Sequence, residues 1–172
     1  MIPNLLNITP ELTASVAAKT EQANALLGQI AADWSPAAFA NSLGAEDMVL
    51  TDLIVRASLP IEIFSLDTGR LPLETYDLMA AVQKHYDLKL KVFFPQSGGV
   101  EHFVRQHGIN AFYDAIELRK ACCHARKVEP LKRALGGKKA WITGLRASQS
   151  ATREALEPIA WDAGNGLHKV SP

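Results

Sequence analysis

The hydrophobic positions along the chain follow two periods in turn, one typical of helices and one typical of buried strands. Thr9 is a favourable N-cap followed by proline at the first helical position, and the pattern after it predicts a helix over residues 10–34. Strands are predicted at 37–40, 61–66, 88–94 and 139–143, and further helices at 46–57, 71–86, 100–107 and 117–135. Strands alternating with helices predict an α/β fold, a parallel twisted sheet with helices on both faces. The tail from Glu154 has no clear period, and no element is predicted there.

The composition is that of a globular protein of ordinary size. The 172 residues are 48% hydrophobic and 21% charged, and the formal net charge is zero. Such a chain has no long-range field that would recruit nucleic acid or an anionic membrane. We find neither the roughly 18 apolar residues of a membrane span nor a secretory signal pattern. Two cysteines without a disulfide framework fit a reducing compartment, so we expect a single cytoplasmic domain that binds neither nucleic acid nor membrane.

Small and polar residues follow two of the predicted strands, at the edge where open parallel sheets bind ligands. Residues 42–47 form a turn that opens a helix, and such a turn can present N–H groups and a hydroxyl to an anion. Alternatively, Ser42 is only the helix N-cap. In residues 66–70, Asp67 could accept hydrogen bonds from a ribose or an exocyclic amine, or it could be an ordinary loop residue.

The fourth strand runs into a basic loop. Arg146 and Arg153 bracket a stretch of hydroxyl and amide side chains. Arginine suits oxyanions because its planar fork binds two oxygens at once. A solvated basic loop would have the same composition. Taken together, the three loops favour a nucleotide or another oxyanion ligand.

Cys122 and Cys123 are the only cysteines, and four cations surround them at residues 119, 120, 126 and 127. Nearby positive charge favours the thiolate, the form that ligates metals and attacks electrophiles. Adjacent helical residues diverge by about 100°, so this pair cannot chelate one ion as a Cys-x-x-Cys pair does. A larger cluster could contact both thiolates, although a cubane iron–sulfur cluster normally takes four. The alternative is a pair of buried, inert cysteines. The five histidines show no metal-binding spacing.

Four segments carry a family resemblance: SLGAED (42–47), LDTGR (66–70), CCHARKVEPL (122–131) and WITGLR (141–146). In this order they resemble assimilatory adenylyl-sulfate reductases of the phosphoadenylyl-sulfate reductase family, over about residues 35–172. The double cysteine indicates the iron–sulfur branch that acts on adenylyl sulfate. The resemblance implies an adenine nucleotide α-hydrolase-like (PP-loop) fold. It also implies reduction of adenosine 5′-phosphosulfate to sulfite and AMP, with thioredoxin as electron donor.

The resemblance implies roles for individual residues. Near the phosphosulfate it places Ser42, Gly44 and Asp47, and along the adenosine side Leu66, Asp67, Thr68 and Gly69. The anion site would be completed by Gly144, Arg146, Ser148, Gln149 and Arg153. Arg126 and Lys127 would lie between cluster and substrate, with Lys127 coupling the two. Cys122 and Cys123 would be two of the four ligands of a [4Fe-4S] cluster.

The chain also departs from the family pattern. It has neither the second Cys-x-x-Cys pair nor the nucleophilic cysteine of a Glu-Cys-Gly-Leu-His-type segment, and Asn165 precedes Gly166-Leu167-His168 where that cysteine would stand. We therefore expect residues 1–172 to be a C-terminally incomplete nucleotide-binding domain of the phosphoadenylyl-sulfate reductase type. By itself it should not turn over or hold a complete cluster, and exposed apolar surface should favour self-association into a homo-oligomer.

Other functions remain open on the sequence alone. One is a non-catalytic adenine-nucleotide-binding module that keeps the PP-loop, and another is a reductase of 3′-phosphoadenylyl sulfate. An ATP pyrophosphatase is disfavoured, because Leu43, Ala45 and Glu46 interrupt the Ser-Gly-Gly-x-Asp-Ser pattern of those enzymes.

Overall fold

The computed structural model describes residues 8–145 and 157–172. The helices are α1 (Pro10–Asp33), α2 (Ala45–Arg56), α3 (Leu73–Tyr86), α4 (Ser97–His107), α5 (Ile116–Cys123) and α6 (Glu129–Leu135). The strands are β1 (Ala37–Ala40), β2 (Ile61–Leu66), β3 (Lys91–Phe93), β4 (Ala140–Thr143), β5 (Ile159–Asp162) and β6 (Leu167–Val170). A 3₁₀ turn spans Ala111–Tyr113, and a π-helical turn spans His124–Val128.

The strands form one sheet in the order β3-β2-β1-β4-β6-β5. All neighbours pair in parallel except β5 and β6, which pair antiparallel, so the predicted parallel α/β architecture is confirmed with one antiparallel edge. The hairpin of β5 and β6 lies in the tail for which no element was predicted. Its turn places Gly166 at φ +69°, and Asn165 Nδ2 donates to Asp162 Oδ2 at 2.8 Å.

Alternate residues of the central strands face two separate cores, as the period of two requires. Phe39, Ile63 and Ile142 belong to the larger core, on the side of the sheet that α1, α2 and α3 cover. Phe64 and Leu167 face the opposite side, where α6 packs. Helices therefore cover both faces, as predicted. Among the described helices, none is both long enough and apolar enough to cross a bilayer.

The helix predicted over 117–135 is not one continuous α-helix. Between α5 and α6 the backbone widens into the π-helical turn, in which the N–H of Glu129 donates to the carbonyl of His124, five residues back. Pro130 follows immediately, and proline has no N–H and clashes with the carbonyl four residues before it in a regular α-helix. The wider turn accommodates this proline and sets the direction of the residues between the two helices.

Packing of α1 against the sheet gives the first prediction. Leu27 is fully buried, whereas Leu12 on the same helix is 44% exposed. Leu27→Ala should lower the free energy of unfolding by about 2–5 kcal/mol, because it removes buried surface and leaves a cavity. Leu12→Ala should change it by no more than about 0.5 kcal/mol. Urea titration of the two variants measures both values, and equal losses would contradict this packing.

A second prediction concerns Glu62 on β2, which lies 2.5 Å from Lys91 Nζ and 3.3 Å from Lys138 Nζ. Burial tends to raise the pKa of Glu62, but its contacts with the two lysines outweigh burial and hold that pKa below 4.5. A lowered folded-state pKa stabilises the protein above the unfolded pKa, and this contribution is lost as the pH falls. The stability difference between wild type and Glu62→Gln should therefore shrink from about pH 6 to about pH 3.

Acid titration of the unfolding free energy measures this difference. Glu74→Gln is the control, since Glu74 lies exposed in the first turn of α3. A Glu62→Gln difference that stays constant over the whole pH range would show that the two lysine contacts do not stabilise the fold.

Candidate functional site

Three adjoining clefts lie at the carboxyl ends of the parallel strands. The loop cleft, about 250 Å³, is lined by Ala40, Ser42, Glu46, Asp47, Thr143, Gly144 and Leu145. The central cleft, about 370 Å³, is lined by Ala40, Asn41, Ser42, Phe64, Ser65, Leu66, Thr68, Arg70, Leu71, Thr75 and Lys127. The thiol cleft, about 330 Å³, is lined by Thr68, Arg70, Phe112, Arg119, Cys122, Cys123, Arg126 and Lys127.

Shared residues join these clefts into one row. Ser42 lines both the loop cleft and the central cleft, while Thr68, Arg70 and Lys127 line both the central cleft and the thiol cleft. Residues from all four sequence segments singled out above therefore lie along the row, with Gly144 at one end and the cysteines at the other.

The loop after β1 is organised by the carboxylate of Asp47. Its Oδ2 accepts hydrogen bonds from the backbone N–H and from the hydroxyl of Ser42, both at 2.6 Å, and the side chain is buried. The N-cap of α2 is Gly44, which makes no side-chain cap bond. The simpler sequence interpretation, with Ser42 as the helix N-cap, is therefore wrong, because Ser42 instead serves as a donor to Asp47.

A second set of buried hydrogen bonds holds the loop in an unusual conformation. Leu43 has φ +66°, a left-handed value that costs a residue with a side chain about 1–2 kcal/mol. Asn41 Oδ1 accepts from the N–H of Leu43 at 2.6 Å, Asn41 Nδ2 donates to Thr51 Oγ1 at 2.9 Å, and Thr51 donates to the carbonyl of Asp47 at 2.8 Å. The N–H groups of Ser42 and Leu43 are thus already paired and do not point freely at an anion.

Gly144 is required by shape at the junction of β1 and β4. A Cβ added there would lie 2.0 Å from Asp47 Oδ1 and 3.1 Å from its Cγ, far inside contact distance. Asp47 is itself fixed by Ser42, so it cannot move aside without breaking those bonds. The glycine therefore lets the ends of two strands close on one carboxylate.

Charge is distributed unevenly along the row of clefts. Glu46 and Asp47 line the loop cleft. Arg70 and Lys127 line the central cleft, and both also line the thiol cleft. In the described part of the chain, these two cations favour an anion at the Lys127 end of the central cleft. Outside the described residues lie four of the predicted anion-site residues, Arg146, Ser148, Gln149 and Arg153.

The loop after β2 uses Asp67 internally. Asp67 Oδ1 accepts from the N–H of Gly69 at 2.7 Å, and the hydroxyl of Tyr76 donates to its carboxylate at 2.9 and 3.1 Å. Donation to Asp67 raises the pKa of Tyr76. Gly69 takes the left-handed φ of +69°. The neighbours Leu66 and Thr68 line the central cleft, and the buried Asp67 shapes the loop that presents them.

Arg126 and Lys127 both lie in the π-helical turn and have different surroundings. Arg126 Nη1 donates to the carbonyl of Thr68 at 2.7 Å and lies close to Gly69. Lys127 is exposed and lines both the central and the thiol cleft. Arg126 thus ties the thiol-bearing helix to the loop after β2, and Lys127 remains on the wall that the two clefts share.

The two cysteines line one cleft although they are adjacent in a helix. Cys122 is buried and packs with Phe103 and Ala111, whereas Cys123 is half-buried. The burial of Cys122 is what the alternative of buried, inert cysteines predicts. Arg119, Arg126 and Lys127 also line this cleft. Their positive charge favours the thiolate form of cysteine, which is the form that ligates iron. Within residues 8–145 and 157–172, no group of three or more Cys, His, Asp or Glu side chains could hold a metal ion. The residues therefore fit two ligands of a cluster and not four.

Sequence reasoning did not assign a role to Arg70 or Phe112, which line the thiol cleft. Arg70 was visible as the last residue of the LDTGR segment, next to residues that were assigned. For Phe112 there was no local signal, because its place beside the cysteines arises from packing of the segment between α4 and α5.

Comparison with known proteins shows which family the chain belongs to. The model of the phosphoadenosine phosphosulfate reductase domain matches residues 36–172. The adenosine 5′-phosphosulfate reductase of Allochromatium vinosum is 51% identical over 147 residues, which are 86% of this chain and 57% of that protein. The adenosine 5′-phosphosulfate reductase of Burkholderia cepacia is 48% identical over 161 residues, which are 94% of this chain and 64% of that protein. The chain thus spans roughly three fifths of the length of these relatives.

Solved structures show the same fold. A phosphoadenylyl-sulfate reductase from Candida auris, a phosphate complex, superposes with a TM-score of 0.71 at 22% identity, over 96% of this chain and 80% of that chain. A yeast FAD synthetase in complex with FAD superposes with a TM-score of 0.50 at 16% identity, over 98% of this chain and 56% of that chain. These likenesses show a PP-loop-type α/β fold. On the family model and the curated relatives, the chain belongs to the phosphoadenosine phosphosulfate reductase domain family.

Proposed function

We propose that this chain is the adenylate-binding part of an adenylyl-sulfate reductase of sulfate assimilation. The whole enzyme would be an oxidoreductase that reduces adenosine 5′-phosphosulfate to sulfite and AMP, with thioredoxin as electron donor. The observation that carries the proposal is the wall shared by the central cleft and the thiol cleft, formed by Thr68, Arg70 and Lys127. The names of relatives that are 48–51% identical support the same activity.

In this proposal the nucleotide occupies the central cleft. Leu66 and Leu71 provide an apolar wall for the adenosine, and Lys127 provides the counter-charge for the phosphosulfate. Burying an anion needs such a partner, because an unpaired charge loses its hydration at high cost. The hydroxyl of Ser42 lies in the same cleft, held in place by Asp47. Asp67 contributes indirectly, by holding the loop that carries Leu66 and Thr68.

Cys122 and Cys123 would supply two thiolate ligands to a [4Fe-4S] cluster. When bound, such a cluster supplies an electron-transfer centre whose potential depends on surrounding charge and hydrogen bonds. Two of the residues that would set that surrounding charge are Arg119 and Lys127, which line the thiol cleft. The remaining two ligands are not among the cysteines of this chain, which has only these two.

Reduction of the sulfated substrate needs a further thiolate as nucleophile. In the family chemistry that the resemblance implies, it attacks the sulfur, the bond from sulfur to the phosphate oxygen breaks, and AMP leaves. A dithiol donor then releases sulfite. If both thiols of this chain ligate iron, neither is available for that attack, so we propose that residues 1–172 bind substrate without turning it over. We further propose that they form one nucleotide-binding domain and work in the cytoplasm.

Calorimetry with AMP tests the proposal. Wild type should bind AMP, and Lys127→Met should weaken binding by about tenfold or more, the value of a lost charge-assisted contact. Lys132→Met is the matched control, since Lys132 is an exposed lysine of α6 that lines none of the three clefts. Equal affinities for the two variants, or no binding by wild type, would refute the site. Tighter binding of adenosine 3′,5′-bisphosphate than of AMP would favour the 3′-phosphorylated substrate instead.

Gly144→Ala tests the loop geometry. The added Cβ displaces Asp47, and the bonds from Asp47 to Ser42 break with it. We expect a drop in the melting temperature together with a loss of AMP affinity of about tenfold. In the control Gly28→Ala the added Cβ meets no atom within 4 Å, in the interior of α1. That variant should be neutral or slightly stabilising. A Gly144→Ala protein as stable and as active in binding as wild type would contradict the packing described here.

A further inference from the structure

Arg70 spans the boundary between the two clefts, and its side chain is held from outside its own loop. Its Nη2 donates to the carbonyl of Ile109 at 3.0 Å and to Oδ1 of Asn110 at 2.8 Å. Its guanidinium carbon lies 4.7 Å from the centre of the Phe112 ring, within the range of a cation–π contact. The loop after β2 is thereby connected to a segment about 40 residues further along the chain.

The segment that Arg70 holds forms part of the thiol cleft. Ala111 is buried against Phe103 and Cys122, and Phe112 lines the cleft beside Cys123. The 3₁₀ turn that carries both residues is short, its last residue Tyr113 is exposed, and so is Ile109 just before it. The turn packs against α5 and the small cluster around Cys122, and Arg70 adds a contact to the Phe112 ring from the loop after β2.

The loop after β2 is connected to the thiol region a second time. Arg126, three residues after Cys123, donates to the carbonyl of Thr68. On the loop itself, the N–H of Arg70 donates to Thr68 Oγ1 at 3.3 Å. One short loop therefore borders the central cleft and contacts both sides of the thiol cleft. On one side Arg70 of the loop contacts Phe112, and on the other the carbonyl of Thr68 accepts from Arg126 of the π-helical turn.

We propose that Arg70 is a positioning residue that couples occupancy of the central cleft to access to the thiols. The inference rests on the proposed adenylate site and adds a regulation to it. Arg70 is exposed and has many rotamers, so a nucleotide packed against it would favour the conformer seated on Phe112. A ligand that orders a side chain also orders what that side chain contacts. Phe112 then stays over the cleft, and the thiols are shielded when substrate is present.

The rate at which iodoacetamide alkylates Cys122 and Cys123 measures this shielding in the iron-free full chain. For wild type, saturating AMP should slow alkylation by about fivefold, the lower end of typical coupling between sites. Arg70→Lys keeps the charge but loses the planar fork. It should reduce the AMP effect to less than about twofold at AMP concentrations that saturate the variant.

Asn110→Ala tests the same contact from the other side, at an exposed position where the substitution leaves the core intact. We expect it to lose the AMP effect as Arg70→Lys does. Arg105→Lys is the matched control, an exposed arginine of α4 that lines none of the three clefts, and it should keep the full effect.

Four results would overturn the inference or the site on which it rests, and they are distinguishable. If AMP protects the thiols equally in Arg70→Lys and Asn110→Ala, the nucleotide shields them without Arg70. If Arg70→Lys weakens AMP binding by more than about tenfold, Arg70 is a direct ligand and not a positioning residue. If wild type binds no AMP in calorimetry, the proposed adenylate site itself fails. Normal AMP binding without any effect on alkylation rejects the coupling alone.

Discussion

The carboxylate of Asp47 is the constraint on which the candidate site depends. The carboxylate accepts two hydrogen bonds from Ser42 and fills the space that Gly144 leaves open. The backbone carbonyl of Asp47 accepts a further hydrogen bond from Thr51. A buried carboxylate is stable only when such donors surround it. One residue of α2 thereby fixes the ends of β1 and β4 relative to each other, and the row of clefts begins at this junction.

The second organising feature, among the residues that the structure describes, is the position of the cations Arg70 and Lys127 along that row. Acidic side chains lie beside the β1 and β4 ends, and the cations Arg70 and Lys127 lie beside the β2 end and the π-helical turn. An anionic ligand in the central cleft is attracted toward the cations and away from the carboxylates. The same cations border the thiol cleft. These cations would thus separate an anionic ligand in the central cleft from the thiols of the neighbouring cleft.

The sequence predicted those features that depend on local pattern. Buried parallel strands are short apolar runs, and all four predicted strands exist, although β3 is limited to Lys91–Phe93. The β5–β6 hairpin was missed because Ala160 and Trp161 are exposed at the sheet edge, so the strand has no clear alternation. The residues after the hairpin turn, which resemble a catalytic segment, are part of β6 and pair with β4.

Within the site, the motifs indicated which loops meet but not what each side chain does there. The sequence pattern predicts that Asp67 binds a ligand, but its hydrogen-bond partners are Gly69 and Tyr76, which are close to it in the sequence. The interplay of Arg70, Asn110 and Phe112 depends on a contact across about 40 residues, which no local pattern reveals. The π-helical turn follows from Pro130 only once the helix on both sides is known. The roles of the individual site residues and the cluster ligation stay predictions.

The most direct test is a crystal structure of the chain with AMP bound. We expect the adenosine to lie along Leu66 and Thr68 in the central cleft, and a phosphate oxygen to lie within hydrogen-bond distance of Lys127 Nζ, roughly 3 Å. AMP bound outside the central cleft, or its phosphate placed beside Glu46 and remote from Lys127, would contradict it.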